Sequence, residues 1–305
     1  MFCNDDIIKN FEKIISNVTG FERDGYFQIN GETLDISLSQ IQLNDNFFSF
    51  DYFNKSILHF TNLNSALSIL NSQTLRATNL SSIFDDKEEL LHCLKLLGQY
   101  SDELEEQKRY IFVSCFTPFD RNEKIEDFEY HWTKYGNEHR GVSFEFEIVR
   151  TPLYPYHYSL NVNYLDTIDE KNMLLNALKK RTNSVILKAL IPLFASIKQP
   201  KYRFEKEVRL IAQYDKSALE RFYEDETFYF TLTKENEAQF YYKIPFFCPN
   251  ENAEGKLLKL KKVYIGRHAE VNDGQLVILR CLTKILEQKN IEYKLLVQRP
   301  PKSSE

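Results

Sequence analysis

Two glutamates, Glu205 and Glu207, stand one residue apart in QPKYRFEKEVRLIAQ (199–213), at the entry to an apolar, β-branched run of Val208, Leu210 and Ile211. In an extended backbone, residues i and i+2 point to the same face, so the spacing predicts two carboxylates projecting from one strand edge. Carboxylates held close push their pKa values apart, which suits one to stabilise a developing cation and the other to take a proton from an attacking group. That division of labour is glycosyl-transfer chemistry. The same letters, E-K-E-V-R, also describe an edge strand whose alternating charges are solvated on one face and bonded to neighbouring lysines and arginines.

The elements that must position this pair are legible from periodicity. A long leucine-rich helix over 168–198, interrupted near Pro192, is predicted to deliver the chain to the glutamate strand. Upstream, SILHFTNLNSALSILNSQTLRAT (56–78) reads as a strand ending at His59 and Thr61, a helix capped by Asn62 or Asn64, and a returning strand through Arg76. Residues 81–100 read as a capped amphipathic helix with acidic residues, Asp85 among them, in its first turns. YIFVSCFT (110–117) is a buried strand with Ser114 as its notable polar residue. Trp132 and Tyr135 lie three apart on one helical turn, so their rings can line one wall of a pocket or simply fill a core. Strands follow at 227–233, 239–246, 256–266 and 291–298, with a helix over 270–288 between the last two.

Composition bounds the rest. The 305 residues are 43% hydrophobic, enough for a large core, and no apolar run approaches the ~20 residues that cross a bilayer. The N-terminus lacks a basic-then-apolar leader pattern, so the expectation is a cytoplasmic protein without a membrane partner. Five dispersed cysteines with no C-x-x-C pair predict reduced thiols and no zinc site or other metal. The formal charge of −5 argues against a uniform nucleic-acid coat, although Lys and Arg cluster at 179–181, 198–209 and 256–262. There is no G-x-G-x-x-G, Walker A, H-E-x-x-H or G-x-S-x-G motif, which sets aside ordinary dinucleotide, P-loop, zincin and α/β-hydrolase chemistry. Residues 1–50 are expected to form an N-terminal extension, 51–300 one domain and 301–305 a flexible tail.

Seven segments taken in order resemble the bacterial family catalogued as domain of unknown function 2971. They are LHFT (58–61), TLRAT (74–78), IFDDKE (83–88), FVSCFT (112–117), HWTKYG (131–136), GVSFEF (141–146) and FEKEVR (204–209). Phe84 and Asp86 depart from that family's asparagine and proline, and Tyr130 from its common serine. The family in turn resembles the ADP-ribosyltransferase fold, particularly the DarT-like toxins that modify DNA bases and the enzymes with a histidine, tyrosine, glutamate signature. The resemblance implies an α+β domain in which two small, mostly antiparallel sheets, flanked by helices, form a cleft for NAD. It implies that His59 and Thr61 contact the adenosine-side ribose and backbone of NAD, and that Trp132 or Tyr135 packs near the nicotinamide. Glu207 would bond the nicotinamide ribose 2′-hydroxyl and stabilise an oxocarbenium-like transition state, while Glu205 would orient or deprotonate the acceptor. Arg76, Asp85 and Ser114 occupy further matched positions on the cofactor side.

The expected activity is therefore transfer of ADP-ribose from NAD to a macromolecular acceptor, nucleic acid or protein. A toxin or anti-phage role, and a neutralising antitoxin as a partner, would follow by analogy. Two other readings remain open: an NAD glycohydrolase or RNA 2′-phosphotransferase-like enzyme on the same fold, and a non-catalytic module that binds a nucleotide or a protein.

Overall fold

The computed structural model describes residues 9, 27–30, 33–36, 56–82, 89–120, 122–149, 157–168, 173–180, 184–214, 228–232, 238–254, 256–269 and 273–296. Asp85, Cys3 and the 301–305 tail lie outside them. A hairpin of β1 (Phe27–Asn30) and β2 (Thr33–Ile36) stands as its own two-stranded sheet. The main body begins with β3 (Ser56–Thr61), α1 (Leu63–Ser72) and β4 (Thr74–Asn79), as the sequence predicts. Asn62 is the cap of α1, its side chain accepting from Ser65 N at 2.8 Å. Leu63, Ala66, Ile69 and Leu70 recur at helical spacing and are buried, and Gln73 ends the helix in the left-handed region.

Next come α2 (Glu89–Leu97), α3 (Asp102–Glu106), β5 (Ile111–Phe119), α4 (Glu129–Lys134) and β6 (Val142–Ile148). In β6, Val142, Phe144, Phe146 and Ile148 face the main core. The alternating Glu145 turns to the other face, where it accepts from Ser56 Oγ at 2.6 Å and Tyr264 Oη at 2.8 Å. After β7 (His157–Asn161) and β8 (Asn163–Tyr164), the segment read as one long helix carries α5 (Met173–Lys180), α6 (Ser184–Ala189) and α7 (Ile191–Phe194), the last two divided at Leu190. Helix ends at Phe194, because Ile197–Lys198 is a strand, β9, pairing in parallel with β8. Pro192 occupies the first turn of α7, where its missing N–H is harmless, and so starts a helix rather than kinking one.

The chain closes with β10 (Val208–Gln213), β11 (Phe228–Leu232), β12 (Ala238–Phe247), β13 (Leu258–Ile265), α8 (Asp273–Gln288) and β14 (Glu292–Leu295). In L-K-L-K-K-V-Y-I the doubled lysine marks a bulge between Leu260 and Lys262. The bulge resets the register against β6 so that Leu258, Leu260, Val263 and Ile265 all stay buried.

The architecture is α+β. Ten strands form one sheet, and six of them, β12–β13–β6–β3–β5–β4, return to β12 and close a ring. Most pairings are antiparallel; β12–β13 and β13–β14 are parallel. Because strands pack on both faces, several read as continuous apolar runs rather than alternating ones. One face carries Phe112, Phe116, Phe144, Phe146 and Phe246 with leucines from α1 and α8. The other is covered in one region by α2 and α5–α7 over Val113 and Ile211, and in another by Trp132, Phe128 and Phe60.

Between its pairings with β4 (Thr78↔Val113) and with β3 (Leu58↔Thr117), β5 has a stretch, Ser114–Phe116, with no strand partner on that side. The sheet splits there. His59 Nδ1 lies 3.3 Å from Cys115 O, occupying the fork where a ladder bond would otherwise run. Since a carbonyl only accepts, Nδ1 carries the proton, and burial lowers the imidazole pKa so that the ring stays neutral.

Candidate active site

The glutamates do not sit on an extended strand. Glu205 ends a 3₁₀ turn, Pro200–Glu205, Lys206 adopts a left-handed conformation with φ 42°, and Glu207 immediately precedes β10. A non-glycine residue in that region is strained by roughly 1–2 kcal/mol. The kink aims both carboxylates at one ammonium. Lys198 Nζ donates to Glu205 Oε2 at 2.8 Å and to Glu207 Oε2 at 3.0 Å. The placement of Lys198 follows from β9, which ends the helical stretch and turns this residue inward to 5% exposure.

Each carboxylate has further cations and donors. Arg209 Nε donates to Glu207 Oε1 at 2.7 Å and Nη2 to Oε2 at 3.3 Å, while Nη1 donates to Ala195 O. The Cys115 thiol also hydrogen-bonds Glu207, and the Glu207 N–H donates to Tyr164 Oη at 3.0 Å. Glu205 Oε1 accepts from Lys134 Nζ at 2.7 Å and Tyr135 Oη at 2.8 Å, both supplied by α4 and its C-terminal residue. The Glu205 carbonyl accepts from His131 Nε2 at 2.7 Å, docking the turn onto the same helix.

Burial alone would raise the Glu207 pKa, but Arg209 and Lys198 outweigh it and hold the carboxyl at about 2. Glu205 is likewise raised by burial and pulled below its ordinary value by Lys134 and Lys198. Both groups are ionised at neutral pH. The pair thus departs from the split-pKa arrangement expected of close carboxylates, because three cations lie between and around them. Burial and Glu205 push the Tyr135 phenol upward, so it acts as a neutral donor.

A shelf of exposed aromatic rings borders the pair. Phe204, Tyr130 and Tyr135 are 61%, 39% and 39% exposed, with Tyr130 6.5 Å from Phe204 and 6.4 Å from Tyr135 between ring centroids. Lys134 Nζ stands over Tyr135 at 4.9 Å and Arg203 over Phe204 at 5.3 Å. The three rings form one contiguous exposed patch rather than scattered surface residues.

Of the residues singled out from the sequence, the structure brings Glu205, Glu207 and Tyr135 together. Trp132 is fully buried against Phe60, with Nε1 donating to Ile125 O at 3.0 Å, so it and Tyr135 do not share a wall despite their spacing. His59 lies on the opposite face of the sheet from Glu207, its ring 5.6 Å from Phe116. Thr61 ends β3, where its carbonyl passes so close to Gly141 that a Cβ there would meet it at 2.1 Å. Ser114 Oγ is buried without a hydrogen-bond partner among the described residues. Arg76 is exposed on β4, over the rings of Tyr229 and Tyr241.

Lys198, Arg209, Lys134, Cys115, Tyr130 and Phe204 are the site residues that sequence reasoning passed over. Arg209 was within reach of it, lying at i+2 from Glu207. The basic cluster at 198–209 was the other signal; its two ends are buried partners of the glutamates rather than a solvated face. Among the described residues no group of three or more His, Cys, Asp or Glu could hold a metal ion, and no helix is long and apolar enough to cross a membrane. Compared with family models, curated proteins and solved structures, the chain matches none.

Proposed function

We propose that the protein is an ADP-ribosyltransferase, built on one ring-closed sheet rather than on the two small sheets that the family resemblance implies, cleaving the N-glycosidic bond of NAD and passing ADP-ribose to a macromolecule. The observation that carries this reading is the convergence of two ionised, nearly buried carboxylates on Lys198 beside an exposed aromatic shelf. Breaking the bond between C1′ and the nicotinamide nitrogen sends the bonding electrons to the departing ring and leaves positive charge on the ribose. Fixed negative charge in a dry site stabilises that charge far better than water does. Depressed carboxyl pKa values keep the charge in place across the neutral range. The shelf supplies flat apolar surface for the nicotinamide.

The roles differ by bonding capacity. A carboxylate offers about four acceptor sites. Arg209, Lys198 and Cys115 fill those of Glu207, so a ribose hydroxyl reaches it only by displacing one donor, and the exposed Cys115 thiol is the weakest. Glu205 retains room on Oε2. With its pKa depressed, Glu205 is a weak base, which suits it to orient the acceptor; the acceptor's proton passes to solvent water as its bond to C1′ forms.

The full complement of donors around Glu207 also favours a second reading, a non-catalytic module whose buried ion network holds the aromatic shelf in place. Incubation with NAD labelled in its ADP-ribose half, with DNA, RNA or lysate protein present, separates the two. Label on one acceptor class supports the transferase, free labelled ADP-ribose alone redirects the reading to a glycohydrolase, and intact NAD in every arm supports the module.

A further inference from the structure

We infer that Arg76 and Lys243, with Tyr229 and Tyr241, form a second site, one that binds a nucleotide through its phosphate and base. The register of β4 against β12 places Lys243 directly opposite Arg76. Like charges in that position destabilise a sheet. The buried and half-buried cations around the glutamates are each matched by a carboxylate, yet among the described residues none lies within ion-pairing distance of Arg76 or Lys243. Both cations instead lie over one ring: the Arg76 guanidinium carbon and Lys243 Nζ are each 5.4 Å from the Tyr229 centroid, and Arg76 is 5.3 Å from that of Tyr241. One cation is a favourable partner for a tyrosine face; a second beside it adds repulsion. Burial pushes the Tyr229 phenol up to about 12, so it offers no negative charge in compensation.

An anion between the two cations removes the repulsion. A planar guanidinium next to an ammonium suits phosphate oxygens. Tyr229 and Tyr241, stacked 5.3 Å apart with a 24° tilt, add aromatic surface for an attached base. The site also has a direction. Thr78 pairs with Val113 and Cys115 with Arg209, so by strand alternation Arg76 projects from the same sheet face as Arg209 and the Glu207 it holds, with β5 between them.

The inference does not depend on NAD cleavage, because binding is read without turnover. Calorimetry of the full chain with ADP, with inorganic phosphate and with a ten-nucleotide single-stranded oligonucleotide tests it, in the native protein and in Arg76→Gln, Lys243→Gln, Tyr229→Leu and Glu207→Gln. The expected result is ADP binding weakened at least tenfold by each of the first two changes, and equally by Tyr229→Leu, which leaves phosphate binding unchanged. Glu207→Gln retains ADP affinity within about threefold. Tighter binding of the oligonucleotide than of ADP, with the same sensitivity, identifies the nucleotide as part of a strand; the reverse order identifies a free nucleotide. Absence of binding by ADP and by the oligonucleotide, or binding indifferent to Arg76→Gln and Lys243→Gln in variants with native melting temperatures, overturns the inference. ADP binding at this site by a protein that releases no nicotinamide upholds it while removing the transferase reading.

Discussion

Glu207 and Arg209 are buried so completely that each is safe only while the other is present. Replacing Arg209 by Leu leaves a carboxylate in the interior with Lys198 as its one remaining charged partner among the described residues, and opens the bond to Ala195 O. Loss of one partner of such a pair destabilises by about 3–5 kcal/mol, to be read as a fall in the urea midpoint at unchanged slope. The same network predicts an acid limb. Glu207 titrates at about 2 in the folded chain against an ordinary 4.5, so its contribution is complete above pH 4.5 and is lost as pH falls towards 2. That shift is worth on the order of 3 kcal/mol. Glu207→Gln, which cannot ionise, is expected to flatten the dependence of melting temperature on pH between 4.5 and 2; an unchanged slope would place the titrating group elsewhere. At this scale the sequence disclosed the two acids by their spacing. It concealed Lys198, because the residue sits in a two-residue strand that helical periodicity absorbed.

At the scale of elements, the site hangs on α4 and on the turn that follows it. Asn137, Glu138 and His139 all have positive φ, 50°, 54° and 64°, an uncommon run for residues with side chains. Two glycines make room for this turn. A Cβ on Gly266 would lie 2.2 Å from His139 O, and one on Gly141 2.1 Å from Thr61 O. His268 N and Gly266 N donate to His139 O and Gly141 O, fastening the turn to the segment after β13. Gly266→Ala and Gly141→Ala therefore force backbone apart, and each is expected to destabilise by about 1–3 kcal/mol or more, measurable as a lowered melting temperature. Gly141→Ala also displaces the end of β3. The sequence marked a turn here through its glycines, but the left-handed run depends on a contact with Gly266, some 130 residues distant, which no local pattern encodes. The kink at Lys206 is hidden for the same reason: local propensity favoured an extended E-K-E, and docking through His131, Lys134 and Lys198 overrides it.

For the whole molecule, the existence of most strands and many of their boundaries followed from periodicity, while β7, β8 and β9, the order of strands in the sheet and closure of the six-stranded ring did not. The ring closes through only two residue pairs between β12 and β13, Phe246↔Leu258 and Phe247↔Lys259, a parallel contact that neither strand's pattern announces. Its consequence is a continuous frame, with β10 below the glutamates and the fork at Cys115 on the same sheet. The aromatic shelf stands outside that frame. Phe204→Ser together with Tyr130→Ser is accordingly expected to leave stability within about 0.5 kcal/mol, yet to weaken NAD binding at least tenfold, as measured by calorimetry alongside thermal melts. The most direct measurement of the account as a whole is nicotinamide release from NAD by the native protein and by Glu207→Gln, with folding of the variant verified by its melting curve and with DNA, RNA and protein acceptors supplied in turn. The account predicts release by the native protein that rises with one acceptor class and falls at least a hundredfold in a folded Glu207→Gln; no release from the native protein in any arm, or equal release by the variant, would contradict it.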